Sequence, residues 1–197
     1  MPALTVSIDG KAIATVSTDG YDLLSVRVGG TRIDEDLADL EVSGGSFPEG
    51  RESTYLTWVS ALSLQAGQVV TVLLLESAPT SHPGKTIAEL FPDEKLSETT
   101  DFKPTPELFT DIRSRPKLRD KFSFRLETSR GTTFVGETDP DEHGFGFTVN
   151  WNSFRPERAR VSLHSYSLES LEHKGPMHNH VDERLHAGNW VRFELVA

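Results

Sequence analysis

Apolar and polar residues alternate along most of the chain, and turn residues interrupt the alternation at short intervals. Leu4, Val6 and Ile8 alternate with polar neighbours and stop at Asp9-Gly10, which predicts a half-buried strand ending in a hairpin turn. Ile13 to Val16 follows and stops at Asp19-Gly20, and Leu24, Val26 and Val28 stop at Gly29-Gly30. Leu40 and Val42 make a short strand before Gly44-Gly45, and Tyr55 to Leu64 a longer one. Val69 to Leu75 is nearly all apolar and reads as a strand buried on both faces. The same texture returns later in Phe122/Phe124/Leu126, Phe145/Phe147/Val149, Val161/Leu163 and Trp190 to Leu195. Short strands separated by frequent turns predict a sandwich or barrel.

The middle of the chain reads differently and holds six of the 11 prolines. Thr86 to Phe91 places Ile87, Leu90 and Phe91 on one helical face and stops at Pro92. A second helix opens at Thr105, an N-cap residue, with Pro106 in the first helical position, Glu107 in the first turn, and Leu108, Phe109 and Ile112 as its apolar stripe. Both are too short to stand without tertiary support.

Sliding the chain against itself by 121 residues superimposes Gly10 on Gly131, Val28 on Val149, Ala38 on Ala159, and Leu64, Ala66 and Gly67 on Leu185, Ala187 and Gly188. Identity is low, but one ungapped register carries apolar alternation and a glycine turn across the whole segment, the mark of an internal repeat. The predicted fold is therefore mainly β. Two sandwich-like antiparallel repeats, 1–76 and 122–197, are joined by a Pro-rich, partly helical connector, 77–121, and related by a pseudo-twofold.

Charge narrows the function classes. The chain has 197 residues with 20 Lys+Arg and 30 Asp+Glu, a net charge of -10. Such a chain is repelled by nucleic-acid phosphates and anionic lipid and attracts basic proteins. The excess lies in the first repeat, where Asp34, Glu35, Asp36, Asp39 and Glu41 form an acidic stretch. The connector holds the one basic cluster, Arg113, Arg115, Lys117, Arg119 and Lys121, which reads as a solvated linker or an anion-binding patch. No run approaches a membrane span, no secretory leader is visible at the start, and cysteine is absent; the cytoplasm is the default expectation.

Candidate chemistry is sparse. His178-Asn179-His180-Val181-Asp182, with His186 four residues on, would place His178, His180 and Asp182 on one face of a regular strand. Two imidazoles and a carboxylate suit Zn²⁺ or another divalent metal with a position left for water. Asp139-Pro140-Asp141-Glu142-His143-Gly144 opens like a calcium loop but carries Asn150 where a bidentate Glu is required. Gly44-Gly45-Ser46-Phe47-Pro48 misses the nucleophile elbow at its last position. The phosphate loop and the dinucleotide fingerprint are absent. Trp58, Trp151, Tyr166 and Trp190 lie in or beside predicted strands; they read as core, with Trp190 the foremost core member, or as a stacking platform. Three functions follow as expectations. The first is a non-catalytic acidic protein, inhibitor- or immunity-like, that engages a basic protein. The second is a metal-dependent hydrolase at the histidine cluster. The third is a module binding carbohydrate or another small ligand.

Overall fold

A computed structural model describes residues 1–50, 52–94 and 104–196; connector residues 95–103 lie outside them. In chain order the elements are β1 (Ala3–Ile8), β2 (Lys11–Ser17), β3 (Leu23–Thr31), β4 (Ala38–Ser46), β5 (Thr54–Leu64), β6 (Val69–Leu75), α1 (Ile87–Leu90), α2 (Pro106–Ser114), β7 (Ser123–Thr128), β8 (Thr133–Glu137), β9 (Glu142–Asn152), β10 (Arg158–Ser167), α3 (Leu168–Glu172), β11 (His178–His186) and β12 (Trp190–Val196). They form two six-stranded antiparallel sheets, ordered β2-β1-β6-β12-β7-β8 and β11-β10-β9-β3-β4-β5, packed face to face on one core. The fold is a β-sandwich.

Each repeat supplies three strands to each sheet, so the repeats interleave into one sandwich rather than standing as two. Both sheets read the same from either end once each strand is exchanged for its counterpart. The central pairs show the symmetry directly: Thr71 faces Arg192 in one sheet and Arg27 faces Thr148 in the other. Each of these pairs joins residues 121 apart, so the pseudo-twofold axis passes through both. The register is not uniform. Thr71 and Arg192 face Ser7 and Glu127, which are 120 apart. In β5 and β11 it slips the other way, because β5 carries two register shifts against β4 whereas β11 carries one against β10.

Alternation places Leu4, Val6, Leu24, Val26, Val28, Leu40 and Val42 of the first repeat inward, with Phe124, Leu126, Phe145, Phe147, Val149, Val161 and Leu163 of the second. Phe147 and Phe193 stack with ring centroids 4.6 Å apart. β6 departs from the expectation of burial on both faces: Val70, Val72 and Leu74 are buried, but Val69, Thr71, Leu73 and Leu75 are half-buried. Val69 and Thr71 line an open hollow with Arg125, Glu127, Arg192 and Glu194 of the same sheet, so the apolar run reflects a central strand rather than one between two layers of the described residues. The tryptophans also sort differently from expectation. Trp151 is 1% exposed and donates from Nε1 to the Pro156 carbonyl at 3.0 Å, and Trp58 is in the core. Trp190 is half-buried with the Arg192 guanidinium 4.4 Å from its ring, because its side chain takes the outer parity of β12.

Both anticipated helices form, the second at its anticipated cap; in the first, Thr86 caps the helix instead of opening it. Thr86 and Glu89 make a reciprocal capping box on α1, and the Thr105 hydroxyl accepts from Leu108 N at the start of α2. Helix α3 was not anticipated; its five residues, capped by the Ser167 hydroxyl, are too few for periodicity to register. Among the described residues no helix is long and apolar enough to cross a membrane.

Candidate metal centre

Strand β11 carries the histidine cluster, but not with the alternation a regular strand would impose. Leu163 pairs with Val181 and His164 with Asn179, which leaves His180 as the extra residue of a bulge. A bulge shifts the parity of everything beyond it. His178, opposite the buried Ser165, and His180 therefore both point between the sheets, while Asp182 points outward. His180 lies 5.9 Å from Phe124 and 5.3 Å from Phe134, centroid to centroid, and 4.2 Å from His178.

The carboxylate that meets the two imidazoles is Glu142, at the start of β9. Ligand atoms of Glu142, His178 and His180 all lie within 4.8 Å of one another. Glu142 Oε1 is 3.1 Å from His178 Nδ1 and accepts from the Ser165 hydroxyl at 2.5 Å, and Ser165 Oγ is 2.8 Å from His180 Nε2. Glu142 Oε2 accepts from Asp139 N at 2.7 Å, and Asp139 Oδ2 stands 3.6 Å from His178 Nδ1. Burial, followed by the neighbouring His178, lowers the His180 pKa, a shift that favours the neutral, ligating form of the ring. Glu142 and Ser165 are buried, His180 is half-buried and His178 is exposed, so the group opens at one side.

The turn that delivers Glu142 is held from below. Arg32 is 1% exposed and donates to the carbonyls of Pro140 and Asp139 at 2.7 and 2.8 Å. Two cavities meet at Glu142. One, of about 460 Å³, is lined by Arg113, Lys117, His143, Glu169 and His173 among others. The other, of about 260 Å³, is lined by Asp139, Asp141, Tyr166, Ser170 and His178 among others.

The remaining residues singled out from the sequence lie elsewhere. Asp182 is clamped by Arg160 (3.1 and 2.8 Å) and by Arg184 (2.7 Å), and these hydrogen bonds, Arg160's first, hold its pKa down to about 2. His186 sits exposed at the opposite end of β11, paired with Arg158. In the first repeat, Asp34 accepts from Thr31 N, Asp36 from Ser63 Oγ and Glu41 from Ser43 Oγ, while Glu35 offers its carbonyl to Arg119. Asp39 is raised by burial; Arg27 opposes the shift, and Glu41, Asp34 and Asp36 add to it. Four of these five carboxylates thus share one electrostatic neighbourhood. The basic cluster of the connector is largely engaged: Arg113 with Glu172, Arg115 with Asp111, Arg119 with the Thr31 and Glu35 carbonyls, and Lys121 with Glu137.

Glu142 and Ser165 were not anticipated as partners of the histidines. A signal existed in the repeat register, where Glu142 falls on Tyr21 and Ser165 on Gly44. A carboxylate and a hydroxyl replace an aromatic and a glycine at positions that face inward. No family model, curated protein or solved structure with which the chain was compared matches it.

Proposed function

We propose that this protein binds a divalent transition metal of the zinc class through Glu142, His178 and His180. The observation that carries this reading is the convergence within 4.8 Å of three ligand atoms, from β9, from the β11 bulge residue and from the residue two before it. Two imidazoles and one carboxylate fit such an ion and leave coordination positions for water or a bound group. Ser165 and Asp139 supply the outer contacts that orient ligands in such sites. A hydrolytic role would use a metal-bound water at the open side. The test is elemental analysis of tag-free protein before and after chelation, with thermal unfolding in parallel. One equivalent of metal, with a lower Tm after its removal, is the expected result. Absence of metal after incubation with Zn²⁺, Mn²⁺, Fe²⁺, Co²⁺ or Ni²⁺ would remove this reading.

The acidic face supports a second reading, engagement of a basic protein partner. Burial first, then Glu41, Asp34 and Asp36, disfavour the Asp39 charge, and Arg27 offsets them only in part, an arrangement a cationic partner would relieve further. Asp39→Asn is then expected to raise the urea midpoint of the free protein. An unchanged or lower midpoint would count against stored repulsion at this face.

A further inference from the structure

The open edges of the first repeat are closed by a strap from the connector; the equivalent edges of the second repeat are bridged at one end, where Thr132 Oγ1 donates to Glu183 Oε1 at 2.8 Å, but carry no strap among the described residues. Strands β2 and β5 are edge strands of opposite sheets. Residues 80–85 run from one to the other. Ser81 N donates to Thr15 O at 2.8 Å, Thr15 N to Ser81 Oγ at 3.1 Å, and Ser17 N to Thr80 Oγ1 at 3.0 Å. At the other sheet Lys85 and Thr57 exchange two backbone hydrogen bonds, each 2.8 Å, and His82 Nε2 lies 3.1 Å from the Trp58 carbonyl. Gly84 seats on Leu56 and Trp58 so closely that a Cβ would lie 2.9 and 3.0 Å from their carbons.

Strand pairing identifies the counterparts. Thr15 faces Thr5 as Val135 faces Arg125, and Ser17 faces Ala3 as Glu137 faces Ser123. Thr18 N donates to the Pro2 carbonyl and Thr138 N to the Phe122 carbonyl, so the ladder phase is the same and the N–H and C=O groups of Val135 and Glu137 point away from the sheet. Across the gap, Ser43 faces Thr57 as His164 faces Asn179. Val135 is 68% exposed and Asn179 is exposed. Among the described residues none of the three makes a backbone hydrogen bond outside its own ladder. Under this gap lie His178 and His180, in the places of Leu56 and Trp58.

We propose that the β8–β11 gap binds an extended, basic segment of a partner protein, laid across the two edges as residues 80–85 lie across β2 and β5. Backbone groups of Val135, Glu137 and Asn179 would pair with the segment as those of Thr15, Ser17 and Thr57 pair with the strap, a form of strand addition. Charge complementarity sets the sign. The position of Lys85 falls beside His178, where Asp139 and Asp141 stand; Glu137 on the β8 edge is already paired with Lys121 and adds nothing to it. The proposal goes beyond the metal reading and does not require it.

The probe is a synthetic peptide of residues 78–86, Ala-Pro-Thr-Ser-His-Pro-Gly-Lys-Thr, added at millimolar concentration to ¹⁵N-labelled full chain, with metal titrated separately. The expected result is shifts and slowed amide exchange at Val135, Glu137, Asn179 and His180. They should weaken when the peptide's lysine is replaced by glutamate, and disappear in Val135→Pro, which removes an outward edge N–H where proline is tolerated. No perturbation at these amides would overturn the proposal. Perturbation confined to Thr15, Ser17 and Thr57, where the peptide would displace the resident strap, or to the acidic face at 34–41, would overturn it as well. In either case, metal-induced shifts at His178 and His180 would leave the metal reading standing.

Discussion

The two repeats bring equivalent corners of the sandwich to opposite chemistry. In the first, Tyr21, Gly44, Leu56 and Trp58 occupy the corner; Tyr21 and Trp58 meet edge to face at 5.3 Å, and Gly84 of the strap closes over Leu56 and Trp58. In the second, Glu142, Ser165, His178 and His180 stand at the corresponding places, joined by hydrogen bonds and, among the described residues, without a strap. The backbone scaffold is the same in both, since Gly44 pairs with Leu56 as Ser165 pairs with His178, and Val42 with Val59 as Leu163 with Val181. One corner therefore adds to the apolar core, while the other removes apolar contact in favour of groups that can ligate or bind. A polar cluster gains little stability for a sandwich that already has a core. The difference between corners is a division of labour within one repeated framework, with packing assigned to the first and chemistry to the second.

The sharpest break of this comparison is truncation at the paired positions. Trp58→Ala should lower unfolding free energy by about 3–5 kcal/mol, the range for emptying a large buried aromatic site. His180→Ala should cost well under half of that. Urea denaturation of both variants measures the contrast, and equal losses would show that the second corner is structural too. Next in size is ligand removal. His178→Ala or Glu142→Gln should weaken metal binding by more than about 100-fold, the upper end for outer contacts alone, whereas Asp182→Asn should leave it unchanged. Isothermal titration with Zn²⁺ reads all three.

Arg32 offers a subtler test, because it supports the second corner from outside. Arg32→Met removes two charge-assisted hydrogen bonds to the 139–140 carbonyls, and the expected net cost is about 2 kcal/mol, with metal affinity falling in the same variant because Glu142 loses its mount. Stability lost with affinity intact would show that Arg32 holds the fold and not the site. The smallest effect is that of pH. Burial lowers the pKa of His143, His164 and His180, so the unfolded chain binds protons at these groups before the folded one does. Their contribution is fully present above the ordinary imidazole pKa, about 6.5, and is lost as pH falls through that value toward their depressed ones. The urea midpoint should therefore drop between about pH 7.5 and 5.5. His180→Ala should drop less steeply, and no first-repeat residue of this corner should alter the slope.

Much of the architecture was legible in the chain. The alternation at Leu4/Val6/Ile8 and Trp190 to Leu195, the turn pairs, both connector helices with the Thr105 cap of the second, and the 121-residue register all correspond to what forms, because each depends on residues close in sequence or on a period repeated in both halves. The apolar run of β6 misled about its outer face, and Trp190 about its burial, since covering layers come from distant elements. At the site, His178 and His180 were legible as a pair. Their carboxylate was not: one bulged residue turns Asp182 out to Arg160 and Arg184, and a turn 36 residues from His178 brings Glu142 in.

By itself, then, the sequence determined strand periodicity, the repeat, the cap of the second connector helix and the excess of negative charge. These rest on local sterics, hydrophobic alternation and composition. Only the tertiary structure decided that the repeats share both sheets, that a strap covers one pair of edges, and which carboxylate meets the histidines. Those outcomes depend on strand pairing and on the phase of a single bulge, and a one-residue change of phase reverses which face every side chain beyond it presents.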